Sequence, residues 1–188
     1  MAPDRKKILE VILFLLEEGE RRGLMLTQYD IVKSVFLADK KHLDEFGRPI
    51  TFDNYTAMKH GPVPSFTYDL LKPTAPKSLW QFFGLDEPPW IRKERAGTTA
   101  AEYSCPERHA NLRKLSATDI DALCSALTVV KSLRFGDLRE YTHSNRAYIA
   151  AWRDDDAVRA FDMDYRLIPD VDDLDLIDDL AYASHHCD

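Results

Sequence analysis

The stretch "RPITFDNYTAMKHGPVPSF", residues 48–66, decides how the rest of the chain folds. It places a glycine between His60 and Pro62 and a second proline two residues later. Pro49-Ile50-Thr51-Phe52 reads as extended, and Asp53-Asn54 is turn chemistry. Tyr55 to Met58 fits either a short strand or one helical turn, because the alternation is too brief to decide. Gly61 and Pro62 then predict a sharp turn that ends the extended segment and aims a helix over residues 66–71, with Ser65 as its cap. Pro73 and Pro76 stop that helix.

Outward from this stretch the chain is helical on both sides. Pro3-Asp4 opens a helix in which Ile8, Val11, Ile12, Leu15 and Leu16 recur at helical spacing, and Gly23 closes it. Apolar residues on its other sides predict a central core helix or one lying on a partner. Thr27 caps a second helix that runs to about Glu45, ahead of Gly47, with Ile31, Val32, Val35 and Phe36 inward. The pair resembles a helix-turn-helix unit in spacing, but no Arg or Asn cluster marks a recognition face. Residues 73–90 read as loop, anchored by Trp80, Phe82 and Phe83. "WIRKERAG" and "AEYSC" predict a hairpin. Ser116 and Asp119 form a capping box ahead of a helix facing inward through Ile120, Leu123, Leu127 and Val130. Cys124 shares that face and reads as a small buried apolar group. Two short helices follow, "FGDLREYTHSN" and "RAYIAAW", with Ser144 or Asn145 capping the second. The predicted class is mainly α within α+β: a compact helical domain over residues 1–170 with a short β-hairpin or small antiparallel sheet. Residues 171–188 form an acidic amphipathic helix or tail with Leu174 and Ile177 on its stripe.

Composition bounds the function classes. The chain has 188 residues and a formal charge of −7, which disfavours unspecific contact with nucleic acid or anionic membrane. The charge is uneven: twelve aspartates lie from Asp154 onward, opposed there by Arg159 and Arg166 alone. The longest apolar run, Val11–Leu16, is too short to span a bilayer. Three widely spaced cysteines suggest no disulfide framework. A reducing, cytoplasmic setting is expected.

Candidate chemistry is thin. Cys105 with His109, and His185-His186-Cys187, are half-sets for a metal at best. No phosphate-binding loop is present. His143 in "YTHSNRAYIAAW" is the most base-like histidine, with His60 as a companion, yet a helix-closing role is the simpler account of it and the one favoured here. Neither a cofactor nor a metal is expected, and no catalytic residue is assigned.

Three ordered stretches carry a resemblance: "YDIVKSVFLADKKHLDEFGRPITFDNYTAMKHGPVPSFTYDLL", "LSATDIDALCSALTVVKSL" and "LREYTHSNRAYIAAW". Together they resemble the Panacea domain, the SocA-like antitoxin domain of bacterial and phage toxin–antitoxin systems, over roughly residues 25–170. The matching positions are Lys33 with Leu37-Ala38, Gly47 and Pro49 with Ile50, Tyr55 through Gly61, Pro62 and Pro64, then Thr142, His143 and Trp152. The resemblance implies a non-enzymatic antitoxin that neutralises a toxin encoded next to it by direct protein contact, or delivers it to a Clp-type protease. It implies structural roles for Lys33, Gly47, Pro49, Gly61, Pro64, Thr142, His143 and Trp152. Contact with the toxin is expected through the first helix, the Trp80–Trp90 loop or the tail, with Tyr55, His60, Pro62, Trp80, Phe83, Leu174 and Ile177 as the candidate residues. The alternative is a DNA-binding repressor of its own operon using the first two helices. Homo-oligomerisation stays open.

Overall fold

The computed structural model describes residues 2–94, 100–104, 108–155, 158–170, 179 and 182. The first helix, α1 (Arg5–Arg21), begins where the Asp4 carboxylate accepts from the Lys7 N–H at 3.0 Å. Its apolar residues from Ile8 to Leu16 are nearly all buried, so α1 is a core helix rather than a docking face. Gly23, at φ 68°, closes it as the sequence predicts. A two-residue strand β1 (Leu26–Thr27) leads into α2 (Gln28–Phe46). Thr27 and Asp30 cap α2 reciprocally, and Gly47 ends it in a left-handed conformation.

Every residue of α2 from Ile31 to Asp39 is buried. A helix with no exposed face there is the centre of the domain, and it lies against α5 (Ala117–Ser132). Such burial leaves that stretch unable to enter a DNA groove, so the helix-turn-helix spacing reflects core packing. The capping box on Ser116 and Asp119 starts α5 as expected. Cys124 is half-buried on α5, its sulfur 3.8 Å from a Glu18 carboxylate oxygen, and is therefore not the buried apolar group predicted.

The decisive stretch is a hairpin of β2 (Tyr55–Met58) and β3 (Gly61–Pro64), paired Tyr55 to Pro64 and Met58 to Gly61. The sharp turn is thus Lys59-His60, and Gly-Pro-Val-Pro is a strand, which corrects the turn predicted there. The Ser65 N–H donates to Asn54 O at 2.7 Å, so alternation assigns Val63 and Gly61 to the bonding positions facing β2. Pro62 and Pro64 fall between them, where a missing N–H costs the ladder nothing. The strand β6 (Ala160–Asp162) pairs with the other edge of β2. The helix α3 (Ser65–Leu70) follows β3, but Ser65 does not cap it. The Asp53 carboxylate does so, accepting from the Phe66 and Thr67 N–H groups at 2.9 and 2.8 Å.

Residues 73–90 are more ordered than a loop: α4 (Lys77–Phe82) sits inside them. Trp80 is buried in edge-on contact with Trp90, ring centroids 5.4 Å apart. The second predicted hairpin is present as β4 (Ile91–Glu94) and β5 (Ala101–Ser104), with β1 added on the far edge of β5. The helices α6 (Phe135–His143) and α7 (Arg146–Ala151) follow, and Asn145 caps α7 through the Ala147 N–H. The protein is mainly helical with two small antiparallel sheets, in agreement with the predicted class. The predicted stripe residues Leu174 and Ile177 lie outside the described residues, as do Cys105 and the 185–187 cluster.

Candidate partner-binding groove

The motif residues converge on one place, the junction of α2, the β2–β3 hairpin and α6. Lys33 reaches from the centre of α2 and donates to Pro62 O at 2.8 Å, the one hydrogen bond formed by its ammonium among the described residues. The residue is 1% exposed, and burial pulls its pKa down to about 7. The Tyr29 ring, one turn earlier on α2, lies 5.3 Å from the ammonium. Gly61, at φ +101°, lets the hairpin come this close. A Cβ at that position would stand 2.6 Å from Lys33 Nζ and 2.7 Å from Thr142 Oγ1. Thr142 is buried with its hydroxyl on Arg139 O at 3.2 Å.

His143 stacks on Tyr148, centroids 4.2 Å apart, and Tyr148 stacks in turn on Trp152 at 6.0 Å. The Tyr148 hydroxyl ties this ladder to the hairpin through Met58 O at 3.0 Å. Burial and the charges of Arg139, Lys33 and His60 hold the His143 imidazole down to about 4. Its Nε2 is buried without a hydrogen-bond partner. Among the described residues the charges that shift His143 and His60 belong to cations, and for His143 to His60 as well, rather than to a carboxylate, and the Ser144 hydroxyl is spent on Tyr141 O at 2.7 Å. A base oriented by an acid, with a nucleophile in reach, is not assembled here among the described residues. Nor does any group of three or more metal-ligating side chains occur among them.

What the junction does form is a groove of about 520 Å³. Tyr29, Val32 and Lys33 line it from α2, Met58, His60 and Val63 from the hairpin, and Trp152 and Val158 from the end of α7 and the approach to β6. Gln28 Nε2 and the Tyr29 hydroxyl, on residues lining it, are buried without partners. Phe135, more than half exposed, extends the apolar surface beyond it, its ring 4.9 Å from Tyr29 and 5.5 Å from His60. The volume lies within the roughly 300–1,000 Å³ range of recognition clefts.

A family model of the antitoxin SocA-like Panacea domain matches residues 31–148. The chain belongs to this family. No curated protein and no protein of solved structure matches it. The match is narrower than the resemblance drawn from the sequence and stops short of Trp152. It holds the floor of the groove, from Lys33 through the hairpin to His143 and Tyr148. Other lining residues, Gln28 and Tyr29 before it and Trp152, Val158 and Arg159 after it, lie outside it.

The structure separates the candidate contact residues. His60 is exposed beside the groove. Tyr55 is buried, its hydroxyl on Asp39 at 2.7 Å, and Pro62 is buried in β3. Trp80 is in the core and Phe83 half-buried against it, both remote from the groove lining. Tyr55, Pro62 and Trp80 therefore shape the domain and offer no side chain to a partner. Tyr29, Met58, Val63, Arg139 and Phe135 were not singled out by sequence reasoning. The available signal was Lys33 itself, a lysine in the middle of the apolar run "IVKSVF".

Proposed function

We propose that the chain is an antitoxin that neutralises a cognate toxin by direct protein contact through this groove, without chemistry of its own. One observation carries the reading. The family-motif residues support a half-open, largely apolar cleft whose walls include buried polar atoms lacking partners. Unpaired polar atoms inside an apolar wall are costly alone and are satisfied by a fitting partner. Aromatic side chains at the rim, Phe135, Trp152 and Tyr29, are the residue types that anchor protein interfaces.

Operon repression through the first two helices finds little support. The middle of α2 is enclosed in the core, and the chain is acidic. Delivery of the toxin to a Clp-type protease is compatible with the same groove, and would appear as toxin loss that depends on the protease.

The test is co-expression with the toxin gene beside it. The intact chain restores growth. Val158→Asp, at an exposed position of the groove lining, abolishes rescue while the melting temperature stays within a few degrees. Full rescue by that folded variant would move the interface elsewhere. A chain ending at Asp170 provides a second arm: retained rescue removes the aspartate-rich tail from the mechanism.

A further inference from the structure

The hairpin side of the groove carries one sign of charge in a protein whose net charge is −7. Each ionised neighbour that perturbs His60 is a cation: Arg139, Lys59 and Lys33. The same holds for His143, perturbed by Arg139, Lys33 and His60. Arg139 is fastened across the turn by its Nε–H to Lys59 O at 3.4 Å, and Arg139 and Lys59 are both exposed. Lys33 lines the same groove as Lys59, buried, with one carbonyl for its three N–H bonds. Asp30, the acid nearest to Lys33 on α2, is already paired with Lys131 at 3.3 Å. Asp154, Asp155 and Arg159 also line the groove.

We infer that the groove receives an acidic side chain of the toxin, an aspartate or glutamate flanked by apolar residues, whose carboxylate meets Lys33 and Lys59 in the lining, with Arg139 beside Lys59 at its edge. This rests on the antitoxin reading above and names the chemistry of its partner. A phosphate chain fits the site less well. Its successive charges would have to pass Asp154 and Asp155, and its sugars would face Met58, Val63, Val158 and Trp152. A single carboxylate on an apolar body matches both halves of the lining, and the buried Lys33 attracts it more strongly than a charge in open water does.

The bound carboxylate keeps Lys33 protonated, whereas burial lowers the free ammonium to about 7. Binding just above pH 7 therefore takes up a proton, and affinity falls as pH rises further. The titratable groups that meet Lys33 are Tyr29 on α2, His60 on the hairpin turn and His143 on α6, and the charged groups sharing its groove are Lys59, Asp154, Asp155 and Arg159. Tyr29 is raised to about 12 and His143 lowered to about 4, so neither titrates in that window. His60 is lowered, which puts its titration below the window too.

The experiment is calorimetric titration of the full chain with its toxin in two buffers of different ionisation enthalpy, above and below pH 7. It is paired with NMR titration by 3-phenylpropionate and by its neutral analogue 3-phenylpropanol. Proton uptake is expected with the intact chain and is lost in Lys33→Met. Lys59→Gln with Arg139→Gln, exposed positions that leave the fold alone, weakens the complex by about tenfold. The carboxylate shifts the His60 and His143 ring signals and the alcohol does not. Unchanged affinity in the double variant, with no proton uptake by the intact chain, overturns the inference and leaves the antitoxin reading standing. Failure of the intact chain to bind toxin overturns the parent reading instead, even where 3-phenylpropionate still binds. Loss of oligouridylate binding in the double variant, with toxin binding kept, assigns the cluster to phosphate and also overturns the inference.

Discussion

Gly61→Ala tests the assembly of the groove floor at its tightest point. The backbone there sits at φ +101°, which an alanine adopts at a cost of about 1–3 kcal/mol. The added methyl carbon would lie 2.6 Å from Lys33 Nζ and 2.7 Å from Thr142 Oγ1, both too close to coexist. Thr142 is buried in α6, so the long lysine side chain is the group that yields. Moving it breaks the 2.8 Å bond to Pro62 O and leaves a buried donor short of its acceptor, about 1–3 kcal/mol more. The sum is about 2–6 kcal/mol, a large part of the roughly 5–15 kcal/mol that a domain has in hand. For a chain of this length it corresponds to a fall in melting temperature of roughly 10 °C. Urea denaturation of the single variant, of Lys33→Met and of the double variant forms a cycle. In the Lys33→Met background the same glycine substitution costs less, because only the backbone and the Thr142 contact remain. A loss under about 1 kcal/mol in the single variant, or an equal loss in both backgrounds, refutes the contact between hairpin and lysine.

Three further outcomes follow from the buried charges. The Lys33 ammonium has a folded pKa near 7, below its usual 10.5, so its stabilising contribution is complete only above the unfolded value and is lost as pH falls through 7. Intact protein therefore gains stability relative to Lys33→Met as pH rises from 7 toward 10; denaturation at several pH values measures the slope, and parallel profiles contradict it. His143 titrates near 4 rather than 6.5, and the stability linked to its neutral ring is lost as pH falls through that value; a midpoint near 6.5 by NMR rules this out. Asp119→Ala costs about 3–5 kcal/mol by thermal or chemical denaturation, because a fully buried carboxylate is removed from Lys7 at 2.7 Å, from His42 at 3.2 Å and from the start of α5. Asp119→Asn, which keeps an acceptor for the cap, should cost visibly less.

Helix existence was legible because it is local: apolar spacing, Thr27 with Asp30, Ser116 with Asp119, and glycines at the ends of α1 and α2. The hairpin was half legible. Its prolines drew attention as turn formers, yet proline also suits the outer positions of an edge strand, and only the register with Tyr55–Met58 distinguishes the two. The cap of α3 was missed because its acceptor, Asp53, lies two residues before β2 rather than beside the helix. Trp80 read as a loop anchor open to a partner because nothing local shows Trp90 folding back on it. The groove was least legible. Tyr29, Lys33, Met58, His60 and Trp152 come from three separate segments, and their proximity is a property of tertiary packing.

The motif residues acquire a common physical purpose once they are placed. Gly47 ends α2 in a left-handed turn, so the chain doubles back and the Ile50 and Thr51 N–H groups reach the Asp39 carboxylate at 2.9 and 3.1 Å. The Tyr55 hydroxyl reaches the same carboxylate from the hairpin. Lys33, six residues earlier on α2, takes the Pro62 carbonyl on the outer strand. Two charged groups on one buried helix thus pin the hairpin at both of its strands. They do so at unequal cost, since Asp39 receives four hydrogen bonds and Lys33 makes one. Pinning alone does not call for an ammonium: a neutral donor would hold Pro62 O without the expense of a buried charge. The under-satisfied lysine makes better physical sense as the floor of a site completed by an anion from outside.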